Sequence, residues 1–143
     1  MSASASTGSG TAYADGGHPL DRALVVESDF TEADGREVVR RLLAEGRDSD
    51  AVFAHNDLAA VGAMAAPRAA GLRMPEDVAV IGFDDIPPAG HTEPALTTVR
   101  QPMREMGETA ARMLLARLTG GAPPGPPAVL PTSVVVRRST TNG

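Results

Sequence analysis

The chain has 143 residues, an apolar fraction of 42% and a formal net charge of −5. This length is enough for one domain with a hydrophobic core, and the acidic balance argues against a nucleic-acid-binding surface, which needs clustered positive charge. The absence of cysteine excludes disulfides and thiolate metal sites, and no apolar run approaches the about 20 residues that span a membrane. The first residues lack the basic start and apolar middle of a signal peptide, so we expect a cytoplasmic protein.

The N-terminal part of the chain is predicted to be a tail followed by a strand and a helix. Residues 1–18 are rich in Ser, Ala, Gly and Thr and are expected to be disordered, which leaves a folded region over 19–140. The run "ALVVES" (Ala23 to Ser28) is typical of a strand or strand remnant. Thr31 then begins a sequence that resembles a capping box, and the apolar residues after it have helical spacing, which predicts a helix at about 32–45.

The middle of the chain repeats the order of strand and helix. "DAVFAHND" (Asp50 to Asp57) is a short apolar strand that ends in polar residues, and Asn56 is a good N-cap for the Ala-rich helix that follows. Pro67 lies inside that helix and is expected to bend or break it. The third strand, Val78 to Phe83, is apolar on both faces, as a central parallel strand requires.

The last part of the chain adds a short extended segment, a helix and a final strand. The extended segment is "ALTTVRQPM", the amphipathic helix covers about 103–119, and "SVVVRR" is the final strand. Alternation of strands and helices is typical of an α/β fold, so we expect a parallel sheet flanked by helices.

Polar side chains follow two of the predicted strands. Asn56 comes after the second strand and Asp84 after the third, and ligands of open α/β sheets bind beyond the carboxyl ends of the strands. An amide and a carboxylate at one edge could hold neighbouring hydroxyls of a sugar or a similar polar ligand. The simpler alternatives are that Asn56 only caps a helix and that Asp84 and Asp85 only begin a solvated loop.

The sequence gives little support for an enzyme. Asp84 and Asp85 are adjacent and point to opposite sides, which suits a glycosidase pair poorly. The three histidines lie far apart, and there is no phosphate-binding loop, nucleophile elbow or dinucleotide fingerprint, so we predict no metal site, no cofactor and no catalysis. An α/β enzyme that uses Asp84 stays as the less favoured hypothesis.

Four stretches of the chain resemble a known family. In order, they are "AVFAHNDLAAVGAM", "GLRMPEDVAVIGFDDIP", "PALTTVRQPMREMGETAARMLL" and "LPTSVVVRRST", and they look like consecutive signatures of the effector-binding domain of LacI/GalR transcriptional regulators. The resemblance covers about residues 19–140. It implies a periplasmic-binding-protein-like pair of α/β lobes with a small effector, a sugar or a purine, between them.

The resemblance also implies four ligand contacts. Phe30 resembles the aromatic residue that stacks on the effector, and Asn56 matches a position that contacts sugar hydroxyls. Asp84 matches the acid that binds the effector, and Gln101 lies at the crossover between the lobes. Asp85 is expected to have a structural role.

Other parts of the family pattern are not matched. The helix-turn-helix, the hinge and most of the first lobe have no counterpart, so the chain is expected to be the second lobe plus a helix, about 103–119, that returns to the first lobe in relatives. We therefore expect that this chain makes no direct contact with DNA. In full-length relatives, the missing helix-turn-helix would bind the operator. We also expect the protein to form a homodimer. The alternative function is a periplasmic-type sugar-binding protein of a transport or chemoreceptor system.

Overall fold

The computed structural model describes residues 12, 14–18, 20–47, 49–120, 125 and 127–141, so the expected tail at 1–18 lies largely outside the described residues. The helices are α1 (Glu32–Ala44), α2 (Asp57–Ala69) and α3 (Met103–Leu118), and the strands are β1 (Ala51–Phe53), β2 (Ala79–Asp84), β3 (Thr97–Arg100) and β4 (Ser133–Val135), with short 3-10 helices at Arg22–Leu24 and Pro87–His91. In these ranges no helix combines the length and apolarity that crossing a membrane would need.

The strands form one mixed sheet in the order β1-β2-β3-β4. Strands β1, β2 and β3 are parallel, with Ala51 opposite Ala79 and Ile81 opposite Thr97. Strand β4 pairs with β3 in the antiparallel direction, a detail that the parallel sheet expected from the sequence did not include. An antiparallel edge strand on an otherwise parallel sheet is common in α/β folds.

Helix α1 begins where the capping pattern predicted. The Thr31 hydroxyl accepts a hydrogen bond from the Asp34 amide at 3.2 Å, while the Asp34 carboxylate accepts from the Asp29 amide at 2.7 Å. The two side chains therefore satisfy two backbone N–H groups. In a standard capping box the second N–H group would be that of Thr31, whereas here it is that of Asp29. Val39 is buried on the face that packs against α2.

Helix α2 lies unusually close to α1 because the contact is made by glycine. A Cβ atom added to Gly62 would lie 1.9 Å from the Glu32 carbonyl oxygen, and one added to Gly35 would lie 2.2 Å from the Ala59 carbonyl oxygen. Pro67 is buried, and α2 runs on past it to Ala69, so the expected break is not present. The core under this helix is formed by small and medium apolar side chains: Ala54, Ala59, Ala60, Met64, Val80, Ala89 and Leu96.

The strand predicted at Ala23 to Ser28 is wrong. The chain forms a 3-10 turn at Arg22–Leu24, and the residues after it pair with no strand of the sheet. Val25 is 44% exposed. An apolar, β-branched run becomes a strand only if a neighbouring strand satisfies its backbone groups, and the described residues provide none on this side of β1.

Ser139 links β2 to the segment that enters β3. Its hydroxyl donates to the Val80 carbonyl at 2.6 Å and accepts from the Thr97 amide at 2.8 Å. Its backbone accepts from the Val80 amide at 3.0 Å and donates to the Ala95 carbonyl at 2.9 Å. Ser139 is fully buried, so a polar residue from the end of the chain completes the centre of the sheet.

Helix α3 stands apart from the rest of the described fold. None of its residues is buried, and its large apolar side chains are exposed: Met103, Met106, Met113, Leu114, Leu115 and Leu118. The sequence predicted one apolar side for this helix, and among the described residues nothing covers that side. The packing of α3 against a first lobe stays a prediction.

Candidate ligand-binding site

Three of the four predicted ligand residues lie at one edge of the sheet, and the fourth, Phe30, is hydrogen-bonded to one of them. Because β1, β2 and β3 are parallel, their carboxyl ends meet at the same edge. Asn56 follows β1, Asp84 ends β2 and Gln101 follows β3. The register that places Ala51 opposite Ala79, if continued, brings Asn56 level with Asp84. We call this edge, with Phe30, the rim.

Phe30 and Asn56 form the first half of the rim. The Asn56 side chain caps α2, since its Oδ1 accepts from the Ala59 amide at 2.8 Å, and its Nδ2 donates to the Phe30 carbonyl at 2.9 Å. Asn56 therefore does cap the helix, which was the simpler alternative considered from the sequence. It leaves one of the two Nδ2 hydrogens for a ligand, so capping and ligand contact are compatible.

Asp84 and Gln101 form the second half of the rim. The Gln101 side-chain amide donates to Asp84 Oδ1 at 2.6 Å. Asp84 Oδ2 and Gln101 Oε1 have no hydrogen-bond partner within the described ranges, and both side chains are only partly buried. These two oxygens can each accept hydrogen bonds from ligand hydroxyls.

Backbone strain is concentrated at the rim. Among the described residues, the non-glycine positions with positive φ are Phe30 at 63°, Asp84 at 117° and Asp85 at 58°. Each such conformation costs roughly 1–3 kcal/mol and persists only where the surrounding structure holds it, which is common at ligand sites. Two of the three are residues for which the sequence predicted ligand contact.

Asp85 forms ion pairs that connect the rim with β3 and with Arg137. Its carboxylate accepts from Arg100 Nε at 2.6 Å and from Arg137 at 2.7 Å, and the Arg137 guanidinium also donates to the Leu96 carbonyl at 2.8 Å. Burial alone would raise the pKa of Asp85, but the hydrogen bonds and charges of Arg137 and Arg100 outweigh it and lower the pKa below 3.8. The structural role expected for Asp85 agrees with these contacts.

The Asp85 ion pairs predict a pH-dependent stability. Because the pKa of Asp85 is lowered in the folded state, its contribution is complete above 3.8 and is lost as the pH falls through the folded pKa. We expect Asp85→Asn to lower the free energy of unfolding by about 2 kcal/mol at pH 7 and by much less at pH 2.5. Urea unfolding followed by circular dichroism at both pH values measures this.

The matched control is Glu45→Gln, which removes an ion pair with Arg47 on the surface, where both side chains are more than a third exposed. Exposed ion pairs contribute about 0–1 kcal/mol to stability, so Glu45→Gln should lower the free energy of unfolding by no more than this amount at both pH values. An Asp85→Asn deficit that is equal at pH 7 and pH 2.5 would contradict the ion-pair account.

Two hollows are present in the described structure: one of about 350 Å³ between the last turns of α1 and α2, and one of about 70 Å³ beside His55. None of Phe30, Asn56, Asp84 and Gln101 lines either of them. In the described part of the chain no three His, Asp or Glu residues are placed to hold a metal ion.

Sequence reasoning missed three residues at the rim. His55 packs its ring against Phe30, with centroids 4.0 Å apart and planes at 85°. Arg100 and Arg137 bind Asp85 from positions far along the chain. His55 is adjacent to Asn56 in the same motif and could have been noticed there, whereas no local signal connects Arg137 with an aspartate 52 residues earlier.

A family model described as the periplasmic binding protein-like domain matches residues 6–140. The chain belongs to this family. The periplasmic-binding-protein-like fold expected from the sequence is thereby confirmed.

Members of the family that resemble this chain are transcriptional regulators. The chain is 45% identical over 123 residues to the HTH-type transcriptional regulator CelR of Thermobifida fusca, which covers 86% of this chain and 36% of CelR. A solved CelR–cellobiose complex matches with a TM-score of 0.85 and 43% identity, over 90% of this chain and 39% of that one. A sugar-binding regulator of the LacI family from Escherichia coli matches with a TM-score of 0.80 and 39% identity, over 90% and 46%.

These likenesses confirm the resemblance to LacI-type regulators and do not favour the transport-protein alternative. The chain spans little more than a third of the length of CelR. The activity and partners of such a whole regulator are therefore taken up as a proposal.

Proposed function

We propose that this chain is part of the effector-binding domain of a LacI-type transcriptional regulator and that it binds a sugar at the rim. One observation carries the proposal. The strained residues Phe30 and Asp84 lie at the rim and present unused binding groups: Asp84 ends β2, and Phe30 is hydrogen-bonded to Asn56, which follows the adjacent strand β1. Strained backbone conformations of this kind cluster at ligand sites, which supports a binding role for this edge.

The chemistry of the rim suits a polyhydroxylated ring. Phe30 is 56% exposed, so one apolar face of a sugar can stack on it. Asp84 Oδ2 can accept from two neighbouring hydroxyls, and hydrogen bonds to a charged group contribute about 1.5–3 kcal/mol each. The second Nδ2 hydrogen of Asn56 and the Gln101 oxygen supply a donor and an acceptor beside it. A purine, the second effector class suggested by the resemblance, would use fewer hydroxyl contacts.

In a whole regulator, the effector would act through the arrangement of two lobes. Binding that prefers one arrangement shifts the population toward it and so changes operator affinity at a separate site. We infer that a helix-turn-helix outside this chain contacts the operator, that the protein is a homodimer, and that it acts in the cytoplasm, where its DNA target lies. The role is one of binding without catalysis.

Cellobiose is the first probe because a CelR–cellobiose complex is known. We expect saturating cellobiose to raise the melting temperature of the 143-residue chain, since a ligand that prefers the folded state stabilises it by about 2.7 kcal/mol at 100 times its Kd. Maltose and guanine extend the screen to another sugar and a purine. Melting should be followed by far-ultraviolet circular dichroism, because the exposed apolar residues of α3 would bind a hydrophobic dye.

Asp84→Asn should abolish most of this increase. The control, Asp50→Asn, changes an exposed aspartate at the opposite end of β1 and should keep it. The proposal fails if no sugar raises the melting temperature, or if Asp84→Asn and Asp50→Asn respond alike.

A further inference from the structure

We propose that His55 is a positioning residue for Phe30, so that it sets how a ligand stacks at the rim. The inference rests on the proposed function, and it adds a residue that the sequence did not assign. His55 acts through the Phe30 ring and contacts no ligand itself.

The backbone of Phe30 is fixed, but its ring has few contacts. The left-handed conformation of Phe30 and the hydrogen bond from Asn56 to its carbonyl hold the main chain. The side chain remains 56% exposed, and the aromatic contact that it makes in the described structure is with His55. The rings form a T-shaped pair, in which the positive edge of one meets the negative face of the other, and this geometry sets the plane of each ring.

The imidazole of His55 is unusual for a residue that only fills space. Its Nε2 atom is buried and has no hydrogen-bond partner among the described residues. Buried nitrogens normally find partners, and a phenylalanine would fill the same space without leaving one unpaired. The ring also borders the hollow of about 70 Å³, which has room for a water-sized molecule. No described side chain or backbone group bonds Nε2, so the packing against Phe30 orients the imidazole and couples the two rings.

The test is a double-mutant cycle on the 143-residue chain, with cellobiose affinity measured by isothermal titration calorimetry. We expect His55→Ala to raise the Kd about 3–10-fold, in line with the usual coupling between contacting residues. The same change in a Phe30→Ala background should raise it less than 2-fold. His55→Phe should keep the Kd within 2-fold and raise the melting temperature, because the ring edge is retained and the unpaired nitrogen is removed.

A purely structural histidine would give a different pattern. His55→Ala would then lower the melting temperature but leave the Kd of the folded protein unchanged, or it would weaken binding equally with and without Phe30, and either result overturns the proposal. His91→Ala is the control, since His91 is exposed and its ring contacts the Pro87 carbonyl away from Phe30.

A second measurement needs no ligand and separates this inference from the proposed function. The chain has three histidines and three phenylalanines, so their ring protons can be assigned by NMR. The Phe30 ring signals should shift in His55→Ala and return close to the wild-type positions in His55→Phe. If wild-type protein binds no cellobiose but this pattern is found, the proposed sugar is wrong and the positioning role stands. If the Phe30 signals do not respond to His55→Ala, the positioning role is wrong.

Discussion

Replacing Asp57 by alanine is expected to lower the free energy of unfolding by about 4 kcal/mol. Asp57 is fully buried in the first turn of α2, and its carboxylate accepts from the Ile86 amide at 2.8 Å and from the Thr98 hydroxyl. Each buried donor left without an acceptor costs about 1–3 kcal/mol, and this substitution leaves two. Gly82 gives the carboxylate its room, since a Cβ atom there would lie 2.2 Å from Asp57 Oδ1.

Urea unfolding followed by circular dichroism measures the loss. Asp57→Asn should lower the free energy of unfolding by a smaller amount, because one side-chain oxygen remains as an acceptor. The amide nitrogen that replaces the other oxygen is itself a donor and cannot accept a hydrogen bond. Asp50→Ala, at an exposed position just before β1, should change the free energy of unfolding by less than about 0.5 kcal/mol. If Asp57→Ala were as stable as Asp50→Ala, the network that joins α2 to β3 would have no energetic importance.

Replacing Gly62 by alanine is expected to cost about 3 kcal/mol, the upper end of the range for overpacking. The new methyl group would lie 1.9 Å from the Glu32 carbonyl oxygen and 3.0 Å from the Arg36 amide nitrogen. Both are backbone atoms, so the whole of α1 must move to make room. The usual gain of about 1 kcal/mol from alanine in a helix offsets only part of this cost.

Gly107→Ala is the matched control for Gly62→Ala. Gly107 is also inside a helix, but a Cβ atom there would meet no other atom within 4 Å. We expect it to leave the thermal melting midpoint unchanged or slightly higher. A Gly62→Ala protein that melts at the wild-type temperature would mean that α1 and α2 are free to separate.

The helices and central strands could be predicted because their signals are local. Thr31 and Asn56 cap the two helices that follow them, as the sequence indicated, and both helices begin within one residue of the predicted position. The strand at Ala23 to Ser28 was wrong because pairing depends on a neighbour that the sequence does not specify. The antiparallel direction of β4 depends on the path of the connector before it, which no residue pattern encodes.

The site could be predicted in outline but not in detail. Asn56 and Asp84 were expected to share an edge because parallel strands end on the same side of a sheet. The hydrogen bond between Gln101 and Asp84, and the pairing of Asp85 with Arg137, join residues far apart in the chain. Such contacts depend on the relative positions of whole strands, and side-chain type alone does not reveal them.

The burial of Ser139 also affects when the protein can fold during its synthesis. The hydroxyl that bridges β2 and β3 belongs to a residue 59 positions after Val80. The middle strands can therefore reach this arrangement only after Ser139 has been synthesised and has left the ribosome. A tag or truncation that disturbs residues 137–140 should consequently reduce the yield of folded protein more than a change of similar size on the outer face of α3.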